Sequence, residues 1–160
     1  MKTLITSPLV AVATADTAVT ASTTLTSITG LSLPVVAGAT YIVRGHVWFT
    51  LAGTASGIKL GISAPGTPTL LRASGSLRTS AGASSVGSVL SAEGTLLDNA
   101  LATAATHAFE FEGLLTALDA GNVVLQIAQK TSDAGAATAE NGSWFTLERV
   151  VDRPDSGGTP

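Results

Sequence analysis

Apolar and polar residues alternate with period two along most of this chain, the spacing of β-strands with one face on a core. The longest run is residues 40–51. Tyr41, Val43, Val47, Phe49 and Leu51 fall on one face with Gly45, and Thr40, Ile42, Arg44, His46, Trp48 and Thr50 fall on the other. Ile58, Leu60 and Ile62 alternate with Lys59, Gly61 and Ser63. His107, Phe109, Phe111 and Leu115 alternate with Ala108, Glu110, Glu112 and Leu114. Val123, Leu125 and Ile127, then Phe145 and Leu147, repeat the pattern. Turn formers separate the runs: Ala37-Gly38, Gly53 to Gly57, Pro65-Gly66-Thr67-Pro68, Asp119-Ala120-Gly121 and Asn141-Gly142. Asn141-Gly142 suits a tight turn, since both residues tolerate positive φ. Many short strands with regular turns predict an all-β antiparallel sandwich or closed barrel.

Two stretches read less cleanly. Residues 70–96 are rich in Gly and Ser with weak alternation, and are read as two strands with a long loop. Residues 98–106 fit either a short helix capped by Asp98 or an alanine-rich strand connection. The last nine residues, 152–160, have the composition of a flexible tail.

Composition narrows the chemistry more than the fold. The 160 residues contain no cysteine and two histidines, and 12% are charged. Thiol chemistry and disulfides are thereby excluded, and a chain of this length can bury ~70% of its unfolded surface without them. Mean hydropathy is +0.43, but no stretch approaches the ~20 apolar residues of a spanning helix. The net charge of −3 and the scattered Lys and Arg residues argue against a nucleic-acid partner. Residues 1–22 loosely imitate a secretory signal, but Thr6, Ser7 and Pro8 break the apolar run. They are read as an extended N-terminal arm rich in Thr, Ala and Val.

Few reactive constellations remain. Glu110 and Glu112 share a strand face at a spacing of ~7 Å, which invites a comparison with the carboxylate pair of a glycosidase. Adjacent glutamates on a solvated strand face do not flank a bound sugar, and a salt-bridging role suits them better. His46 and His107 lack partners at metal-ligand spacing. No G-x-S-x-G elbow, phosphate-binding loop or G-x-G-x-x-G occurs. Hence no catalytic residue, metal ligand or cofactor is expected. Trp48 and Trp144 lie off the core register of their strands, where a tryptophan either makes partner contacts or is covered by another segment of the chain. With Arg44 and His46 they form the candidate partner-contact set.

Four segments resemble a β-sandwich module of tailed-bacteriophage virion proteins. The run Thr24-Leu25-Thr26-Ser27-Ile28-Thr29-Gly30-Leu31-Ser32-Leu33-Pro34-Val35-Val36-Ala37-Gly38-Ala39-Thr40-Tyr41 is similar to that module's opening. Residues 121–129 (GNVVLQIAQ) and 142–150 (GSWFTLERV) are similar to its closing strands, and residues 57–65 (GIKLGISAP) to an intermediate one. The resemblance spans about Thr24 to Val150. It implies an antiparallel jelly-roll-like sandwich, used in capsid decoration proteins, head spikes, fibres and minor tail proteins, commonly as homotrimers. The resulting expectation is an arm over residues 1–22, a sandwich over 23–151 and a tail over 152–160. Function is expected to be structural and non-enzymatic: a decoration (cement) protein on the outer capsid surface of the virion, made in the host cytoplasm. Its partners would be the major capsid protein and itself, with no nucleic acid and no membrane. The alternative is a tail fibre, spike or minor tail module that binds host surface glycan.

Overall fold

A computed structural model describes residues 4–5, 7–53, 56–68, 70–79, 88–90, 94–101 and 105–151. All regular structure among them is β: β1 Leu4–Ile5, β2 Leu9–Val12, β3 Thr17–Val19, β4 Thr26–Val35, β5 Thr40–Leu51, β6 Ile58–Ser63, β7 Leu70–Thr79, β8 Ser88–Leu90, β9 Gly94–Asn99, β10 Thr106–Thr116, β11 Gly121–Ala128, β12 Ala137–Ala139 and β13 Trp144–Val151. They form two antiparallel sheets in a jelly-roll-like sandwich. The smaller has the order β4-β11-β6-β9, and the larger runs β1-β13-β5-β10-β7-β8 with β2, β3 and β12 attached.

The alternation along each strand dictates this packing. In β5 every odd position from Tyr41 to Leu51 is buried, and Phe49, Phe109 and Phe145 are wholly enclosed. Ile28, Leu31, Leu60, Ile62, Leu125 and Ile127 close the core from the smaller sheet. A two-residue period sends alternate side chains to opposite faces, so one register error would turn the whole set outward. The chain changes sheet at most connections. The turn at Ala37-Gly38, the bend at Pro65-Gly66 and the bend at 118–120 each lead from one sheet to the other. Phe111 lies between Gly45 and Gly75 in register, and a Cβ on Gly45 would stand 2.5 Å from its ring. Glycine makes room there for an aromatic ring over the neighbouring strand.

One local feature follows the sequence reading and two differ from it. Asn141-Gly142 does turn, with Gly142 at φ 78°. It joins β12 and β13, however, which lie end to end along the same side of β5, so it kinks one row and closes no hairpin. Asp98 caps no helix: Asp98 and Asn99 end β9, paired with Lys59 and Ile58, because burying Leu96 and Leu97 outweighs local helix propensity. The N-terminal segment is extended but is not held away from the domain. β1 and β2 pair with β13, and β3 pairs with β12, making it the outermost row of the larger sheet. Ala11, Ala13 and Val19 are buried by that pairing. The tail, 152–160, lies outside the described residues.

The row is fastened at its far end by Gln129, which is completely buried. Its Oε1 accepts from the backbone N–H groups of Ser22 and Asp133, both at 3.1 Å, and its Nε2 donates to the carbonyls of Asp133 and Gly135. A buried amide with both ends occupied holds the loop after β11 against the chain entering β4.

Candidate functional site: the outer face of the larger sheet

Register decides which polar residues meet. Across the larger sheet, Val12, Trp144, His46, Glu110 and Ser76 form one cross-strand row, running from β2 through β13, β5 and β10 to β7. The next row is Val10, Thr146, Arg44, Glu112 and Ser74. Opposed residues in antiparallel strands share a face, so all ten point away from the core. The four candidate contact residues, Arg44, His46, Trp48 and Trp144, are therefore brought together on one surface.

The aromatic part is continuous. The His46 ring lies 4.3 Å from Trp48 and 6.5 Å from Trp144, centroid to centroid, inclined at 35° to the first and 29° to the second. Trp48 is 42% and Trp144 37% exposed, so neither is covered by another segment. Ser143, fully buried in the gap between β12 and β13, positions both. Its Oγ accepts from the Trp48 N–H at 3.0 Å and donates to the Glu140 carbonyl at 2.7 Å, and Trp144 follows it directly.

Beside the rings runs a ladder of ion pairs. Arg44 Nε donates to Glu112 at 2.9 Å, and its Nη1 lies 3.4 Å from Glu148. The bond to Glu112, opposed by slight desolvation, holds the guanidinium's pKa above its ordinary value. Glu110 approaches His46 Nδ1 at 3.4 Å and Arg78 at 3.6 Å. His46 has its pKa lowered, first by burial between the indoles, with Arg78 adding to that and Glu110 opposing it. Its Nε2 is enclosed and has no protein partner. His46, Trp144, the ion pairs and the serines of β7 border an open groove of about 620 Å³, and Trp48 lies against His46 outside it.

The proposed carboxylate pair resolves into this ladder. Glu110 and Glu112 each have a basic partner, the arrangement of a salt-bridge network rather than two acids flanking a substrate. His107 faces the other way, 2% exposed and 5.3 Å from the ring of Phe49. Among the described residues no group of three or more His, Asp or Glu is placed to hold a metal.

Neither protein-family models nor curated proteins match this chain. Its chemistry must be read from the face itself.

Sequence reasoning missed Ser143 and the β7 contribution of Ser74, Ser76 and Arg78. The signal was present in 71–79, where Leu71, Ala73 and Leu77 alternate with Arg72, Ser74, Ser76 and Arg78. Its Gly and Ser content masked the alternation.

Proposed function

We propose that this chain is a structural protein of a tailed-phage virion, and specifically a capsid decoration protein that binds neighbouring shell subunits as a homotrimer and catalyses nothing. The class of protein comes from the resemblance, whose segments form β4, β6, β11 and β13 and the start of β5. The observation that carries the mode of action is the N-terminal row. It ends the larger sheet, with Val10 and Val12 exposed on its outer side and Leu9 exposed beside Val36. Leu9, Pro34, Val35, Val36 and Tyr41 border a shallow recess of about 340 Å³ at the same edge.

A sheet edge with exposed apolar side chains is a template for a second chain, which adds main-chain hydrogen bonds and buries those side chains. Low overall charge makes such a contact tolerant of salt. The arm thus serves as the edge itself, already paired within its own chain, rather than as a strand donated outward.

The test has two parts. Mass spectrometry of purified virions is expected to find hundreds of copies per particle, whereas a handful would place the chain in the tail, as a fibre, spike or minor tail module. Val10→Glu combined with Val36→Glu, both at positions more than half exposed, is expected to leave the domain folded and abolish binding to emptied capsids. Retained binding would overturn the edge as the docking surface.

A further inference from the structure

We propose that the outer face of the larger sheet is a binding site for an uncharged oligosaccharide. The site adjoins the sheet edge assigned to shell contacts, sharing Val10 and Val12 with it, and does not depend on the virion reading.

Five of the eight exposed large apolar residues among those described lie on this one face: Val10, Val12, Trp48, Leu114 and Trp144. Folding does not need the two indoles there, because the inner face of the same strands is already filled. An exposed strip of rings is suited to the C–H faces of a sugar, which lie flat on aromatic surfaces while the hydroxyls point sideways.

The groups at the sides are of the right kind. Arg44 and Glu112 remain 49% and 69% exposed at their side chains while bonded to each other. A guanidinium has five donors and a carboxylate about four acceptor sites, so their mutual bond leaves capacity for vicinal hydroxyls. Each also fixes the other in place, reducing the ordering cost on binding. Ser74 and Ser76 add hydroxyls along the same groove. From β13 to β7 the groove crosses three strand spacings, about 14 Å, the reach of a short oligosaccharide.

Charge selects among sugars. Arg44, Arg72 and Arg78 are matched on this face by Glu110, Glu112 and Glu148, and Glu140 follows beside Trp48, leaving no excess of positive charge to attract a sulfated, sialylated or nucleic-acid chain. A neutral glycan loses nothing by that balance.

The experiment uses the full chain on an array of neutral, sialylated and sulfated glycans, followed by titration of the best-bound glycan with tryptophan fluorescence as readout. Binding is expected to be confined to neutral glycans, to change the fluorescence, and to be unaffected between low and high salt. Trp48→Ala and Trp144→Ala are each expected to weaken it about tenfold, with the thermal midpoint of each variant confirming a folded domain. Arg44→Met tests the ladder independently of the rings and is expected to weaken binding as well.

Failure to bind any arrayed glycan overturns the proposal. So does binding that needs acidic sugars and fades with salt, or binding that survives loss of both tryptophans. An apolar face that instead captures emptied capsids, and loses them with Trp48→Ala, would make it a protein contact and overturn the proposal too. A chain abundant in virions but blind to glycans would leave the virion reading standing and remove this one. Glycan binding by a chain absent from virions would do the reverse.

Discussion

The two sheets present very different outer faces to solvent, although their inner faces are built alike. The smaller sheet shows Ser27, Ser32 and Pro34 on β4, Asn122, Val124 and Gln126 on β11, and Lys59 and Ser63 on β6. That surface carries small, amide and aliphatic side chains with no aromatic ring among the described residues, and Leu25 lies over Gly61 on it. The larger sheet shows two tryptophans, a histidine between them, three arginines and three glutamates in register. Both sheets satisfy the same folding requirement with the same alternation, so folding cannot account for the difference. Apolar area left in water forgoes about 25 cal/mol per Å², so a face that leaves rings exposed while its counterpart does not is the one on which the proposed ligand is sought.

The sharpest way to break this contrast is to show that the indoles are core after all. Phe49 is fully buried on the inner face of β5, one residue from Trp48. Phe49→Ala is expected to cost about 3–5 kcal/mol, the usual cost of truncating an enclosed aromatic side chain. Trp48→Ala, next to it on the outer face, is expected to stay within about 1 kcal/mol. Urea denaturation of both variants checks this. Equal losses would mean the outer face is packed as tightly as the inner one, and the asymmetry between sheets would lose its meaning.

A second pair of variants sharpens the other side of the comparison. On the smaller sheet, Gln126 faces outward and is half-buried, whereas Gln129, three residues on, is enclosed. Gln129→Leu would strand the backbone N–H groups of Ser22 and Asp133 and the carbonyl of Gly135, while the Asp133 carbonyl keeps the N–H of Ala21 at 2.9 Å. With each buried unmet group costing about 1–3 kcal/mol, a loss of at least ~3 kcal/mol is expected. Gln126→Ala is expected to stay within about 0.5 kcal/mol. Comparable midpoints for the two would show that the Gln129 side chain adds nothing to the backbone hydrogen bonds of Ala21 and Ser22 with the same loop.

These contrasts also mark how far the sequence alone could be read. The inner and outer positions of β5, β10, β11 and β13 follow from alternation, because a half-buried strand leaves a period-two trace in its residues. Arg44, His46 and Trp48 were legible as one face for the same reason. That Trp144 joins them was not, since strand register is a tertiary choice that no local pattern encodes. The helix option at Asp98 arose from propensity at Asn99 to Ala102, which pairing with β6 overrode over residues 98–99. The N-terminal residues looked like a free arm because small Ala and Thr side chains carry little burial signal, yet Ala11 and Ala13 are enclosed.

The finest test of the comparison concerns the one titratable ring on the aromatic face. Burial lowers the pKa of His46 below its ordinary value near 6.5. The unfolded chain therefore binds this proton more readily than the folded one just below pH 6.5. By linkage, the stability that neutral His46 contributes is fully present above that pH. It is lost progressively as pH falls from 6.5 through the lower folded value. The groups facing His46 act in opposite senses: Glu110 on β10 favours the proton, while Arg78 on β7 and enclosure by Trp48 and Trp144 oppose it. Urea midpoints at pH 7.5 and pH 5.5 are expected to fall on acidification in the native protein, and to fall less in His46→Gln. Every other titratable group is present in both proteins and cancels from the difference. A midpoint that falls more in His46→Gln than in the native protein would mean that the Glu110 pair outweighs enclosure by the rings. The outer face would then be governed by its ion pairs, as a more charged version of an ordinary solvated sheet, and the tryptophans would be its bystanders.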